Sequence, residues 1–152
     1  IELIKPVAPI FFDSKKKTIC ILAACTILKI LLPERQINKK IYQSFDKMIL
    51  KFNDTDWIKF YILWELSLIK ELGFEIDFFN KNNVINRDVQ INNKNFKIPQ
   101  LLFGKSISKL SKIEIKEALE FNKNIIMENF IIPNRLKLPL SRNILEKYFN
   151  LF

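Results

Sequence analysis

No histidine occurs among the 152 residues. That absence removes imidazole acid–base catalysis, Ser-His and Cys-His nucleophile pairs, and histidine metal ligands. Glycine is reduced to two residues, so no glycine-rich loop is present to cradle a phosphate. The two cysteines, Cys20 and Cys25, lie in one apolar run. Their spacing makes no CxxC pair, and two thiols without further ligands make no zinc site. Both read as small buried hydrophobes in a reducing compartment. No apolar run reaches the roughly 20 residues that a membrane-spanning helix needs. The longest, Ile19 to Leu32, is interrupted by Lys29. Three lysines precede it and no small-residue cleavage site follows, which argues against a signal peptide. The carboxylates are scattered rather than grouped at ligand spacing, which disfavours a divalent-metal nuclease.

Hydrophobic residues make up 49% of the chain, enough to build the core of one compact domain. Lys and Arg number 25 against 16 acids, a net charge of +9. Such a surplus favours acidic partners, either nucleic acid or an acidic protein tail. Ile, Lys and Asn are also abundant throughout, so the same surplus reads as the solvated surface of a compositionally biased chain. The chain begins with Ile1 rather than Met, and a fragment or processed product is expected.

The stretch from Asp56 to Phe78 organises the rest. Trp57, Phe60, Tyr61, Ile62, Leu63, Trp64, Leu66, Leu68, Ile69 and Leu72 leave a narrow polar edge of Lys59, Glu65, Ser67, Lys70 and Glu71. A helix apolar on nearly every side is buried by neighbours. Asp54 or Thr55 is suited to cap its start, and Gly73 its end, where a left-handed residue closes a helix without a Cβ clash. The fold class expected is therefore mainly α: a compact helical domain around a buried central helix at about 56–73, with a small irregular β-hairpin excursion at about 80–99. One domain over 1–152 is expected, led by an extended segment over 1–12 that carries Pro6 and Pro9.

A first helix opens at Asp13 or Ser14, with Ile19, Leu22, Ala23, Thr26, Ile27, Ile30 and Leu31 at helical spacing, and Pro33 stops it. The second runs from about Ile37 to Phe52, with an apolar stripe of Ile37, Ile41, Phe45, Met48, Ile49 and Phe52. Lys39, Lys40, Gln43, Lys47 and Lys51 lie off that stripe. A lysine face of this kind is either simply solvated or a set of phosphate contacts. Over the excursion, Val89 and Ile91 flank Gln90, and Asn92-Asn93 is a good turn before Lys94 to Ile98. Ser111 and Glu114 have the spacing of a capping box. The helix they open carries Ile115, Ala118, Leu119, Ile125, Ile126 and Phe130 inward and Lys112, Lys116, Glu120 and Lys123 outward, with Pro133 at its end. Ser141 is placed to cap a final helix. Arg142, in its first turn, has two readings: a structural partner of a carboxylate, or a direct contact to a binding partner.

Trp64-Glu65-Leu66, then Leu68, Leu72, Gly73, Phe74 and Asp77, resemble a signature in the helical part of RecO, the bacterial recombination mediator. The turn Leu32 to Gln36 resembles one that joins two helices in RecO relatives lacking zinc cysteines. Ile98-Pro99 to Gly104 resembles the lead into the last helices. Met127 to Phe130, Pro133, Leu138-Pro139, Arg142 and Leu145 follow the order of the RecO C-terminus. The resemblance marks Trp64, Glu65, Gly73 and Pro139 as structural positions. Many RecO proteins carry a four-cysteine zinc site in the excursion. Here the first of those positions is Lys81 and no cysteine follows Cys25, so 80–99 is expected to be a degenerate zinc-finger-like insertion without metal, and no cofactor is expected. The N-terminal OB-fold barrel of the family is expected to be absent, since nothing here has its closely spaced strands and glycine turns.

What the resemblance implies is interaction rather than catalysis. RecO binds single- and double-stranded DNA, anneals strands, joins RecR, recognises the acidic-hydrophobic C-terminal tail of SSB and helps RecA load. A cytoplasmic, nucleoid-associated DNA repair protein with no membrane partner and no enzymatic activity is implied. For the SSB tail, an apolar groove walled by the central helix is expected, with Leu63, Leu66 and Leu68 as lining residues and Lys59, Lys70, Lys81 and Arg142 as charge partners. For DNA, the lysines Lys39, Lys40, Lys47, Lys51, Lys81, Lys112 and Lys116 are expected, with affinity weakened in the absence of the barrel. The alternative is a stand-alone basic helical nucleic-acid-binding module.

Overall fold

The structure is a computed structural model and describes residues 15–32, 38–73, 88–91, 94–99 and 109–150. Five α-helices dominate: α1 (Lys15–Leu31), α2 (Lys39–Leu50), α3 (Trp57–Glu71), α4 (Lys112–Ile126) and α5 (Leu140–Asn150). A 3-10 turn, Lys51–Asn53, extends α2, and a π-helical turn, Met127–Ile131, extends α4. The excursion forms a two-stranded antiparallel hairpin, β1 (Asp88–Ile91) with β2 (Lys94–Lys97), in which Val89 faces Phe96 and Ile91 faces Lys94. The expected mainly α fold with a small hairpin is the fold observed. The leading segment over 1–12, Lys81, the turn Asn92-Asn93 and all but Leu32 of the turn Leu32 to Gln36 lie outside the described residues.

The central helix is α3, and it is held from several sides. Ile58, Tyr61, Ile62, Trp64, Glu65, Leu68 and Ile69 are all buried on it. The main core joins Ile58, Tyr61, Ile62, Trp64 and Leu68 to Cys20, Ala23, Ala24 and Ile27 of α1, Ile41 and Met48 of α2, Phe52, Ala118 and Leu119 of α4, and Leu145 of α5. A second cluster gathers Ile69, Ile98, Phe121, Ile125, Ile126, Phe130 and Ile131. Ile98 is fully buried there and anchors the hairpin against the helices. The most extensive helix contact is between α1 and α5. Small buried residues, Cys20, Ala23 and Ala24, let α1 approach its neighbours closely. Thr26 Oγ1 and Ser141 Oγ meet at 2.7 Å, a polar link between α1 and α5.

Helix ends follow local chemistry, with three departures from expectation. Gly73 closes α3 with φ +96°, and its N–H donates to the Lys70 carbonyl, as a left-handed closing residue should. Ser111 caps α4: its Oγ accepts from the Glu114 N–H at 3.2 Å and lies 3.1 Å from Glu114 Oε1. At the start of α3, however, neither Asp54 nor Thr55 is the cap. The cap position falls to Asp56, which makes no side-chain cap bond, while Asp54 Oδ1 accepts from the Asp56 N–H at 3.4 Å. Ser141 also does not cap α5. The helix starts at Leu140, the Pro139 carbonyl accepts from the Arg142 and Asn143 amides, and the Ser141 hydroxyl is spent on Thr26. The third departure is Cys25, which is exposed rather than buried, because Cys20 occupies the inner face of α1.

Candidate functional site

Glu65 departs most from its expected place. It does not lie on a polar edge of α3 but points into the core, fully buried. Arg142 of α5 meets it there, also fully buried, with Nε donating to Oε2 at 2.7 Å and Nη2 to Oε1 at 3.1 Å. Tyr61 donates its hydroxyl to Oε2 at 2.8 Å, and Asn122 Nδ2 donates to Oε1 at 3.2 Å and to the Ile62 carbonyl at 3.0 Å. The second Nη2 bond of Arg142 goes to the Leu119 carbonyl at 2.9 Å. Burial is the largest single influence and works against the charge of Arg142, but Glu65, Tyr61 and Glu146 together outweigh it and push the guanidinium pKa further up. Burial, with Glu65 close by, also holds Tyr61 and Cys20 well above their ordinary ranges. The cluster ties α3, α4 and α5 together and has no opening to a reactant. Of the two readings of Arg142, the structural one stands. As a contact for an SSB tail it is corrected: no part of its side chain reaches the surface.

An open apolar groove lies between α2 and α3, with a volume of about 360 Å³. Met48, Leu50, Phe60, Leu63 and Trp64 form most of its lining, and Lys47 and Lys51 also border it. Leu50 and Leu63 are 68% and 39% exposed, large values for leucines on packed helices. Lys51 Nζ lies 5.6 Å from the Phe60 ring centre, within cation–π range. Trp64 Nε1 is buried with no acceptor among the described residues.

Of the residues expected to form a peptide groove, Leu63 is the one that lines this opening. Leu68 is only 1% exposed and belongs to the main core, because it falls on the inward face of α3. Leu66 packs against the second cluster. Lys70 is exposed near the end of α3, and Lys59 borders a different pocket. Two lysines expected to face DNA, Lys47 and Lys51, are exposed and border the groove. Phe60, Leu50 and Met48 contribute to the lining without having been expected there. Met48 is signalled by the apolar stripe of α2 and Phe60 by the apolar circumference of α3; Leu50 lies off that stripe, and bringing the three together needs the packing.

Lys39, Lys40, Lys47 and Lys51 are all exposed on or just after α2, and none is in an ion pair among the described residues. Lys112 and Lys116 are exposed on α4. Lys116 shares a cleft with Glu120, Glu146, Lys123 and Lys147, so that surface is of mixed sign, and Lys123 donates to Glu146 at 3.0 Å. Among the described residues, no group of three or more Cys, Asp or Glu is placed to hold a metal ion, and no helix is long and apolar enough to cross a membrane.

Residues 14–88 match the family model described as Recombination protein O C terminal. A DNA repair protein RecO of Ehrlichia chaffeensis is 38% identical over 78 residues, 50% of this chain and 32% of the relative. One from the Wolbachia of Culex pipiens is 36% identical over a stretch of the same length and coverage, and one from Rhodospirillum centenum is 24% identical over 78 residues. The matched stretch thus spans about a third of the length of these curated relatives. No solved structure matches significantly.

Proposed function

From the match of residues 14–88 to the model of the Recombination protein O C terminal, we propose that this chain is a RecO-like helical domain that recruits a recombination mediator to its protein partners by holding a short apolar-acidic peptide. The groove between α2 and α3 carries the reading. Its lining is aliphatic and aromatic, and its charged borders, Lys47 and Lys51, are both cationic. An apolar peptide end would enter the opening while the lysines neutralise neighbouring acids. The C-terminal tail of SSB has this chemistry and is the proposed occupant. DNA, RecR and assistance to RecA loading are further proposed partners and outcomes, in a cytoplasmic protein that acts by binding rather than by covalent chemistry. The matched stretch supports the family setting but covers only part of each relative.

Fluorescence anisotropy of a labelled SSB-tail peptide, beside a scrambled peptide of equal charge, tests this. Binding of the native order alone, weakened about tenfold or more by Lys47→Glu with Lys51→Glu and by Leu63→Asp, is the expected result. Equal binding of both peptides would reduce the site to non-specific charge attraction. The second reading, a nucleic-acid-binding face, is favoured by the run of four exposed lysines from Lys39 to Lys51. It predicts steep salt dependence of DNA affinity and indifference to the peptide.

A further inference from the structure

The hairpin leaves an edge that neither the groove nor the lysine face uses. Ile91 and Lys94 are paired and only three positions apart, so they are a pair that exchanges both main-chain bonds. Val89 and Phe96 form the next such pair. The N–H and C=O groups of Asn95 and Lys97 therefore point away from β1, and no third strand lies beside them among the described residues. β2 is pinned at its start and just past its end: Lys94 Nζ donates to Glu128 Oε1 at 2.7 Å, and Ile98 is fully buried in the second cluster. An edge held in this way has little freedom left to lose when another strand joins it.

An opening of about 310 Å³ lies between β2 and α4. Consecutive residues from Asn95 to Pro99 line it. Successive side chains of a strand point to opposite faces, so consecutive residues border one opening along the strand's edge rather than across a face. The helix supplies the other wall with Glu117, Glu120, Phe121 and Asn124, one stripe at helical spacing. Glu117 and Glu120 are exposed, and neither is in an ion pair among the described residues. Glu120 also borders the cleft of Lys116 and Lys123, whereas Glu117 does not. Lys97 is the one cation that lines the opening among the described residues, and it stands on the face of β2 opposite Phe96, which packs toward the helices. A chain of net charge +9 thus sets an acidic wall beside an unpaired strand edge.

Edge and wall together select the occupant. An added strand turns every second side chain toward α4, where basic residues meet Glu117 and Glu120, while its main chain pairs with Asn95 and Lys97. Nucleic acid and acidic tails are repelled by the same carboxylates. Antiparallel pairing with the same edge of a second copy would set Lys94 opposite Lys97, like charge against like. We propose that this edge takes an extended segment of a partner protein, with Lys or Arg at alternate positions, as a third strand. The site is separate from the α2/α3 groove and independent of what the groove binds.

The test uses the whole chain and a short labelled peptide of alternating Lys and Thr. Anisotropy reports affinity, and backbone amide NMR shifts report the place of binding. Binding is expected, with shifts centred on Asn95 and Lys97. N-methylation of one alternate set of peptide amides should abolish it and N-methylation of the other set should not, because only one edge of the peptide pairs with β2. Glu117→Lys with Glu120→Lys should weaken binding about tenfold or more. Asn95→Pro removes one outward donor and leaves the bonds to β1, so it should weaken binding while both acids are kept. Thermal melting of each variant checks that the fold is kept. No binding to the unaltered protein would overturn the proposal. So would equal binding of an alternating Glu and Thr peptide, or equal tolerance of both methylated sets. A dimer in sedimentation that Asn95→Pro dissociates would also overturn it, by giving the edge to a second copy.

Discussion

Arg142 and Glu65 stand 77 positions apart and meet through two parallel hydrogen bonds in the centre of the helical bundle, with neither side chain exposed. Each ion is expensive to bury and is stabilised by the other. Arg142→Met alone, or Glu65→Leu alone, should cost about 3–5 kcal/mol, because a buried charge is left without its partner. The double variant should recover much of that loss, since the two apolar side chains are of suitable bulk. Urea unfolding of the four proteins measures this, and strict additivity of the single losses would show that the pair is not coupled.

Alkaline pH should destabilise the fold in two steps. Cys20 and Tyr61 are buried and have raised pKa values, mainly from desolvation. In the unfolded chain they lose their protons near about 8.5 and 10. Above each of those values the unfolded state binds fewer protons than the folded state, so stability falls as pH rises. The slope should reach about 1.4 kcal/mol per pH unit for each group. Full stability from these two groups is present below about pH 8. Cys20→Ala should shrink the first step in a pH series of unfolding free energies to the smaller part that Cys25 contributes, its thiol pKa also being raised by partial burial, whatever the substitution does to stability at neutral pH.

Two backbone positions should respond in opposite directions. Gly73 has φ +96° and open space where a Cβ would stand, so Gly73→Ala should cost about 1 kcal/mol from backbone strain alone. Arg135 has φ +55° without being glycine. Arg135→Gly should gain about 0.5–1 kcal/mol by relieving the left-handed conformation. Melting temperatures of the two variants provide the comparison.

The thiols should also separate. Cys25 is exposed and Cys20 fully buried. A disulfide-exchange reagent should modify one thiol in the native protein, at Cys25, more slowly than a free cysteine because partial burial raises its pKa, and the second only on unfolding. Two fast equivalents would contradict the packing of α1.

Much of this is legible in the sequence because it depends on neighbours along the chain. The apolar circumference of α3, the closing role of Gly73 and the Ser111 cap all follow from spacing within a few residues. Glu65 is not legible in that way. Its position on α3 fits a polar edge as well as a core, and the residue that decides between them, Arg142, lies 77 positions away. The same limit hides the groove. Leu63 is identifiable from one helix, but Leu50 and Met48 lie across from it on another, and Lys47 and Lys51 border it only because α2 packs on α3.

The π turn at Met127–Ile131 sets the phase in which α4 ends. Ile132 donates to the Met127 carbonyl and Leu136 to that of Ile131, each five residues back, so this segment holds one residue more than α-helical winding would. Removing a single residue there would restore ordinary winding and turn the last residues of that helix by about 100°. Phe130 and Ile131 would then be carried off the bearing on which they enter the second core cluster. The extra residue works as a spacer that keeps both side chains pointed inward.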